Sequence, residues 1–262
     1  MKRVKNYICN LIIDYVESYP KLKQTSTTWQ EPLVSFAAAD DKLFPKLKEI
    51  VSPTHALPTD FLADAQSVIA YFIPFVPDTV ISNIQESYSS RDWVLAYIET
   101  NQLIYDLNTL IHDKLLENHY HTSIIPATHN FDKTKLISDW SHRHVAFIAG
   151  LGTFGLNNML ITEKGCCGRL GTVVTNLKLS VTPRQERENC LFKYNSRCKK
   201  CVERCATGAL TNTTFDRFIC YDMCLKNAEI FSELGLADVC GKCLVNLPCS
   251  FKNPTSKLTS TD

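Results

Sequence analysis

Twelve cysteines in 262 residues are placed so unevenly that they divide the chain in two. Cys9 stands alone in the first 165 residues, Cys166 and Cys167 are adjacent, and nine more fall between Cys190 and Cys249. A secreted disulfide scaffold is short and follows a signal peptide. Here the basic N-terminal tip runs into Asp14 and Glu17, which interrupt any apolar signal core, and no small-residue cleavage site follows. In a reducing compartment a dense thiol cluster reads first as metal binding. The expected location is therefore cytoplasmic, with a cysteine-poor body over 1–185 and a cysteine-rich module over 186–262.

The spacing says which metal. Cys198, Cys201 and Cys205 follow the C-x2-C-x3-C rhythm of a bacterial ferredoxin half-motif, in which the last cysteine crosses to the other cluster. Asn195 stands where the full run wants a first cysteine, so Cys190 substitutes for it; Ala206 replaces the usual proline. Cys220, Cys224, Cys240, Cys243 and Cys249 form a second half. Crossover logic gives one 4Fe–4S cluster to Cys190, Cys198, Cys201 and Cys249, and the other to Cys205, Cys220, Cys240 and Cys243. Cys224 is the spare, exchangeable with Cys220. Paired C-x2-C units also bind zinc, so a zinc-stabilised binding module is the competing reading; the C-x3-C step and the trailing TGAL turn favour iron–sulfur. Two neighbouring clusters make an electron conduit, and the body would hold the acceptor.

The body reads as interspersed helices and strands, hence α/β or α+β. Residues 4–19 carry an amphipathic helix that Pro20 ends. LVSFAAA and the proline-bounded SVIAYFIPF are strands, the second one buried. SSRDWVLAYIETNQLIYDLNTLIHDKLLENHY is a long helix capped by Ser89 or Ser90. HTSIIPAT is a strand whose Pro126 places its end at an edge or in a loop, ISDWSHRHVAFIAG a helix stopped by glycines, RLGTVVTNLKLSV a strand, and KNPTSKLTSTD a frayed tail. With 45% hydrophobic and 21% charged residues and a net charge of +1, the composition excludes wholesale disorder and gives no bulk attraction to nucleic acid or membrane.

GLGTFG at 150–155 satisfies the dinucleotide pattern G-x-G-x-x-G. That pattern needs a preceding strand and an acidic residue ~20 positions on. The segment before it reads as a helix, and Thr175 and Asn176 stand where the acid belongs. A glycine turn allowing close backbone approach is the simpler reading. His142 and His144 lie two apart on a helix and do not share a face. Tyr71, Tyr97 and Tyr105 are core or pocket-wall residues, Cys166 and Cys167 two plain thiols near the pocket, and Cys9 a buried helix residue.

SHRHVAFIAGLGTFGLNNMLIT, then GCCGRLGTVVTNLKL, then the double-cluster module resemble epoxyqueuosine reductase and its short relatives, and more distantly the reductive dehalogenases. SRDWVLAYIETNQLI and VIAYFIPF extend the likeness over most of 60–250. The resemblance implies a nitroreductase-like α/β body that holds cobalamin, joined to a ferredoxin-like double-cluster module. It implies an iron–sulfur oxidoreductase that passes electrons to the corrinoid, which reduces a small or nucleoside-like substrate. An electron donor such as ferredoxin or flavodoxin would feed the clusters. Gly150, Gly152, Gly155, Asn157, Asn158, Arg169 and Gly171 would line the corrinoid pocket. The alternative is an electron-transfer or corrinoid-activating protein with no substrate of its own.

Two departures matter. The family places a proton-donating aspartate shortly before the helix leading into the glycine turn; Asp132 and Asp139 bracket that register, and either is the catalytic candidate. The family's C-terminal helical-repeat extension does not follow the second cluster, and the net charge is near zero, so tRNA is not expected as a partner.

Overall fold

A computed structural model of the chain describes residues 2–126, 129 and 131–258. The first half contains α1 (Lys2–Lys23), β1 (Leu33–Ala38), α2 (Leu43–Ile50), α3 (Pro58–Phe61), β2 (Ser67–Pro74), α4 (Pro77–Ser82), α5 (Arg91–Leu116) and β3 (Thr122–Ile124). Then come β4 (Phe131–Asp132), β5 (Ile137–Ser138), α6 (His142–Ile148), β6 (Gly152–Phe154), β7 (Leu160–Thr162) and β8 (Gly168–Thr175). The cysteine-rich part carries α7 (Leu191–Asn195), α8 (Lys200–Glu203) and α9 (Arg217–Ile230).

The fold is mixed α/β. β1, β2, β8 and β3 form one sheet in that order, antiparallel at every step. Side chains alternate across a strand, and β2 uses both faces. Ile69, Tyr71 and Ile73 pack with Leu103, Ile104 and Leu107 of α5 and Ile8 and Ile12 of α1. Val68, Ala70 and Phe72 pack on the other face with Leu47 of α2 and Val145 and Ala146 of α6. Two helical layers therefore sandwich the sheet, and β2 is buried at all eight positions. Each fully buried Leu, Ile or Phe side chain contributes about 1.5–3 kcal/mol, so these two layers hold the body together.

α5 begins where Ser90 accepts the Trp93 amide at 3.2 Å, as the serine pair anticipates. A third core, with Phe75, Val80 and Trp93 from the body and Cys190, Leu244 and Val245 from the cysteine-rich part, joins the two parts.

Four local expectations change. Pro20 lies inside α1, which runs on to Lys23. The helix continues because Tyr19 is buried, and beyond the proline the Lys23 ammonium meets Asp106 at 3.0 Å. Ile137–Ser138 pairs with Phe131–Asp132 as a hairpin, so α6 starts only at His142. The tail is not frayed through 258: Thr255 is fully buried and Asn253 Nδ2 donates to Asn189 Oδ1 at 2.8 Å. Residues 259–262 lie outside the described set. Tyr105 is exposed, on the outer face of α5. Among the described residues, no helix is long and apolar enough to cross a membrane.

Candidate functional site

The cysteines from 190 onward gather as two neighbouring groups. Cys190, Cys198, Cys201 and Cys249 line one small recess, with Gly155, Leu156 and Asn157 of the body on its far wall. Cys205, Cys220, Cys224, Cys240 and Cys243 line the wall of a second, larger cavity. Cys201, Cys205, Cys243 and Cys249 share one apolar cluster, so the groups abut.

Backbone hydrogen bonds lock these thiols to the body. The carbonyl of Cys240 accepts from Asn83 Nδ2 and Ser89 Oγ, each at 3.0 Å. Asn157 Nδ2 donates to the Cys243 carbonyl at 2.9 Å, and the Cys166 amide to the Cys249 carbonyl at 3.0 Å. Gly241 turns with φ +73, and a Cβ there would stand 2.2 Å from the Trp93 ring, so only glycine lets this loop lie on the indole. The buried Lys242 ammonium donates to the carbonyls of Asn83 at 3.0 Å and Gln85 at 2.7 Å. α9, capped by Asp216 accepting from the Phe218 and Ile219 amides, carries Cys220 and Cys224 one turn apart.

Burial pushes the Cys201 thiol up to about 12, with the thiols of Cys249, Cys190 and Cys198 adding to it. Burial raises Cys243 likewise, with Cys240, Cys220 and Cys205 as neighbours. Cys220 moves the other way: a hydrogen bond from Cys224 lowers it, and the Arg143 guanidinium assists. Burial therefore favours the protonated thiols, and a metal bound there would have to displace those protons. Among the described residues no group of three or more His, Cys, Asp or Glu side chains is already arranged around a single metal ion.

The larger cavity has a volume of about 410 Å³, and a recess of about 330 Å³ adjoins it, sharing Phe131, Arg143, Met159, Gly168 and Arg169. Arg169 lies over the Tyr97 ring, and Tyr97 donates its hydroxyl proton to Asp238 Oδ1 at 2.6 Å. The Nε of Arg169 and the Nε1 of Trp93 are buried without a partner. Exposed Arg143, Arg217 and Phe215 stand on the wall. In the recess, His142 is fixed between Thr172 Oγ1 and the Pro126 carbonyl, each at 2.9 Å.

Of the expected corrinoid-pocket residues, Arg169 and Asn157 line the larger cavity, whereas Gly155 faces the thiol recess. The other glycines make room for the chain itself. A Cβ on Gly150 would stand 2.8 Å from the Pro183 carbonyl, on Gly152 2.1 Å from that of Ile161, and on Gly171 2.3 Å from the Tyr71 ring. Asn158 is exposed, and its carbonyl accepts from Arg143. Neither aspartate lines the cavity. Asp132 accepts from the Thr134 and Lys135 amides of its own hairpin, and Asp139 from Thr54 Oγ1 at 2.6 Å. Asp238, which carries no sequence signal, is the carboxylate among the described residues that reaches the larger cavity.

No family model and no curated protein matches the sequence. Solved structures of epoxyqueuosine reductases do resemble the fold. The Bacillus subtilis enzyme, with its catalytic aspartate loop swung out of the active site, matches at TM-score 0.58 and 18% identity over 100% of this chain and 68% of that one. An epoxyqueuosine reductase with an epoxyqueuosine-modified tRNA-Tyr stem loop matches at TM-score 0.55 and 18% identity, over 95% and 67%. A selenomethionine-labelled epoxyqueuosine reductase matches at TM-score 0.54 and 18% identity, over 90% and 65%. The chain thus spans about two thirds of the length of these enzymes.

The stem-loop complex overturns the expectation that sets tRNA aside. A net charge of +1 sums the whole surface and hides a local cationic mouth such as Arg143 and Arg217 provide. Fold, glycine turn and thiol-bearing segment agree on one conclusion: this chain has the fold of the epoxyqueuosine reductases.

Proposed function

We propose that the chain is an iron–sulfur oxidoreductase of the epoxyqueuosine reductase type, built as a nitroreductase-like body over 1–185 and a double-cluster module over 186–262. Cys190, Cys198, Cys201 and Cys249 would hold one 4Fe–4S cluster, and Cys205, Cys220, Cys240 and Cys243 the other. The observation that carries this reading is the gathering of the first four thiols, 59 positions apart in sequence at the extremes (249 − 190), around one recess that abuts the second group. Four cysteines around each cluster is the donor set that four-iron cubes take.

The cavity beside the second group is the proposed place of reduction. Its residues fit a corrinoid in kind: Arg169 Nε and Trp93 Nε1 are buried donors without partners, suited to the amide and phosphate oxygens that such a cofactor carries. When bound, cobalamin would supply the reducing nucleophile that side chains cannot. The chain's own residues would do the rest. Arg169 would orient the bound group, Tyr97 and Asp238 would hold a proton at the wall, and Trp93 and Phe75 would exclude water. The substrate is proposed to be a nucleoside within an RNA, by likeness to the stem-loop complex. Exposed Arg143 and Arg217 beside Phe215 supply cations and an aromatic face of the kind RNA recognition uses.

Anaerobic purification tests the reading. A broad absorption shoulder and about eight irons per chain are expected, with cobalamin bound at micromolar concentration. Zinc in place of iron would replace the reading with a zinc-stabilised module. Iron without cobalamin binding would leave an electron-transfer protein with no substrate of its own.

A further inference from the structure

Around the first thiol group the surface charge is of one sign. Residues 189–202 and 249–258 hold Lys193, Arg197, Lys199, Lys200, Lys252 and Lys257 and no aspartate or glutamate, in a chain with 28 basic and 27 acidic residues overall. The two segments are pinned together. Asn253 Nδ2 donates to Asn189 Oδ1 at 2.8 Å, and Thr255 Oγ1 to the Glu188 carbonyl at 2.9 Å. Both segments contribute walls to the recess of Cys190, Cys198, Cys201 and Cys249. All six cations are exposed, and among the described residues none is in an ion pair. Of the flanking acids, Glu188 turns one carboxylate oxygen inward and Glu203 closes α8. None of the six cations lines the larger cavity, where Arg143 and Arg217 stand.

We infer that this cationic collar is the docking face for a small acidic electron-carrier protein, which gives electrons one at a time to the cluster held by Cys190, Cys198, Cys201 and Cys249. The inference rests on the two-cluster reading above, which puts the second cluster at the cavity and leaves the first as the point of entry. Cys198, half-buried, lies between Arg197 and Lys199, so the collar includes the residues on either side of a thiol. Redox partners meet in small, short-lived interfaces, and a field of one sign steers their encounter more than it adds affinity. At each encounter the carrier loses one electron and the cluster gains it, with no bond or proton transferred. Two encounters supply the pair for a two-electron reduction. An RNA substrate would have to reach the cavity itself, and the collar lines no part of it, so a protein carrier is the better fit.

The test is stopped-flow reduction of the anaerobically reconstituted full chain by a purified, reduced bacterial flavodoxin, beside calorimetric titration with oxidised flavodoxin. Lys193→Glu/Lys252→Glu/Lys257→Glu changes the collar without touching a neighbour of a thiol. Lys42→Glu/Lys46→Glu/Lys48→Glu, all exposed at α2, makes the same charge change elsewhere. At low ionic strength the collar variant is expected to lose about tenfold to a hundredfold in the bimolecular rate constant, and the wild-type rate to fall as salt is raised. Flavodoxin binding should weaken in parallel, whereas iron content and reduction by dithionite stay as in wild type. The corresponding glutamine triple should lose about half as much on a logarithmic scale, and it serves if the reversed protein does not fold. No loss in the collar variant, or an equal loss in the α2 variant, would overturn the inference. So would a wild type that flavodoxin neither binds nor reduces. A collar variant that keeps flavodoxin but loses affinity for a tRNA-Tyr anticodon stem loop would make the face an RNA site instead. Wild type that binds flavodoxin but is devoid of iron would remove the two-cluster reading itself, a result separate from all of these.

Discussion

The guanidinium carbon of Arg169 stands 4.4 Å from the centre of the Tyr97 ring, on the wall shared by the two cavities. Strand β8 delivers the arginine and helix α5 the tyrosine, and Tyr97 in turn donates to Asp238 just ahead of Cys240. A cation, an aromatic ring and a carboxylate from three parts of the chain therefore meet at one place. Burial disfavours the charge on Arg169, and the Tyr97 ring and Asp238 partly offset that cost.

That stack makes Arg169 the first residue to change. Arg169→Met keeps the length of the side chain and removes its donors. Hydrogen bonds to charged groups contribute about 1.5–3 kcal/mol, so cobalamin affinity should fall by about tenfold to a hundredfold, with iron content unchanged. Arg169→Lys should recover only part, because an ammonium lacks the planar fork. Equilibrium titration of cobalamin into the anaerobic protein measures both. Equal affinity in wild type and the methionine variant would remove Arg169 from the binding wall.

His142 predicts a pH dependence. Trp140 Nε1 donates to Thr172 Oγ1 at 3.0 Å, so the threonine hydroxyl is free to donate to His142 Nδ1 while Nε2–H donates to the Pro126 carbonyl. This network satisfies a neutral imidazole. Burial, with the Arg169 charge nearby, lowers its pKa to about 4. The folded value lies below the unfolded one, so stability from this residue is complete above about pH 6.5 and is lost as pH falls towards 4. Between pH 7 and pH 5 the loss should be about 2 kcal/mol. Urea unfolding at the two pH values measures it, and His142→Gln should flatten the difference. A wild-type protein equally stable at both would mean that the folded histidine takes up its proton as readily as the unfolded one.

Much of this arrangement was legible in the residues, and the remainder was hidden for definable reasons. Cysteine is rare and chemically specific, so crossover between the two half-motifs expects Cys249 beside Cys198 and Cys201, and all three line one recess. The proline-bounded run from Val68 to Ile73, rich in β-branched and aromatic residues, likewise reads as a buried strand. Tyr97 could be placed only as core or pocket wall, because an aromatic on an amphipathic helix gives the same pattern in either. Asp238 lies in an irregular segment with no periodicity to read. The glycines leave two readings open, close backbone approach or room for a cofactor: a sequence shows that a side chain is missing, not what occupies the space.

Gly152 puts that last distinction to the test. If a cofactor filled the space beside it, Gly152→Ala would weaken cobalamin binding and leave the fold intact. In the structure the space belongs to the Ile161 carbonyl, 2.1 Å from where the Cβ would be. That carbonyl cannot retreat freely, because it sits in the β6–β7 hairpin and accepts from the buried Asn189 Nδ2 at 2.7 Å. Alanine should therefore cost about 3 kcal/mol of stability through overpacking. Gly208 provides the comparison: nothing lies within 4 Å of its Cβ position, but its φ is +70. Alanine there should cost about 1 kcal/mol from backbone strain alone. Urea midpoints for the two variants, measured beside cobalamin titrations, separate the cases. A Gly152→Ala protein as stable as wild type but impaired in cobalamin binding would return the glycine turn to the cofactor.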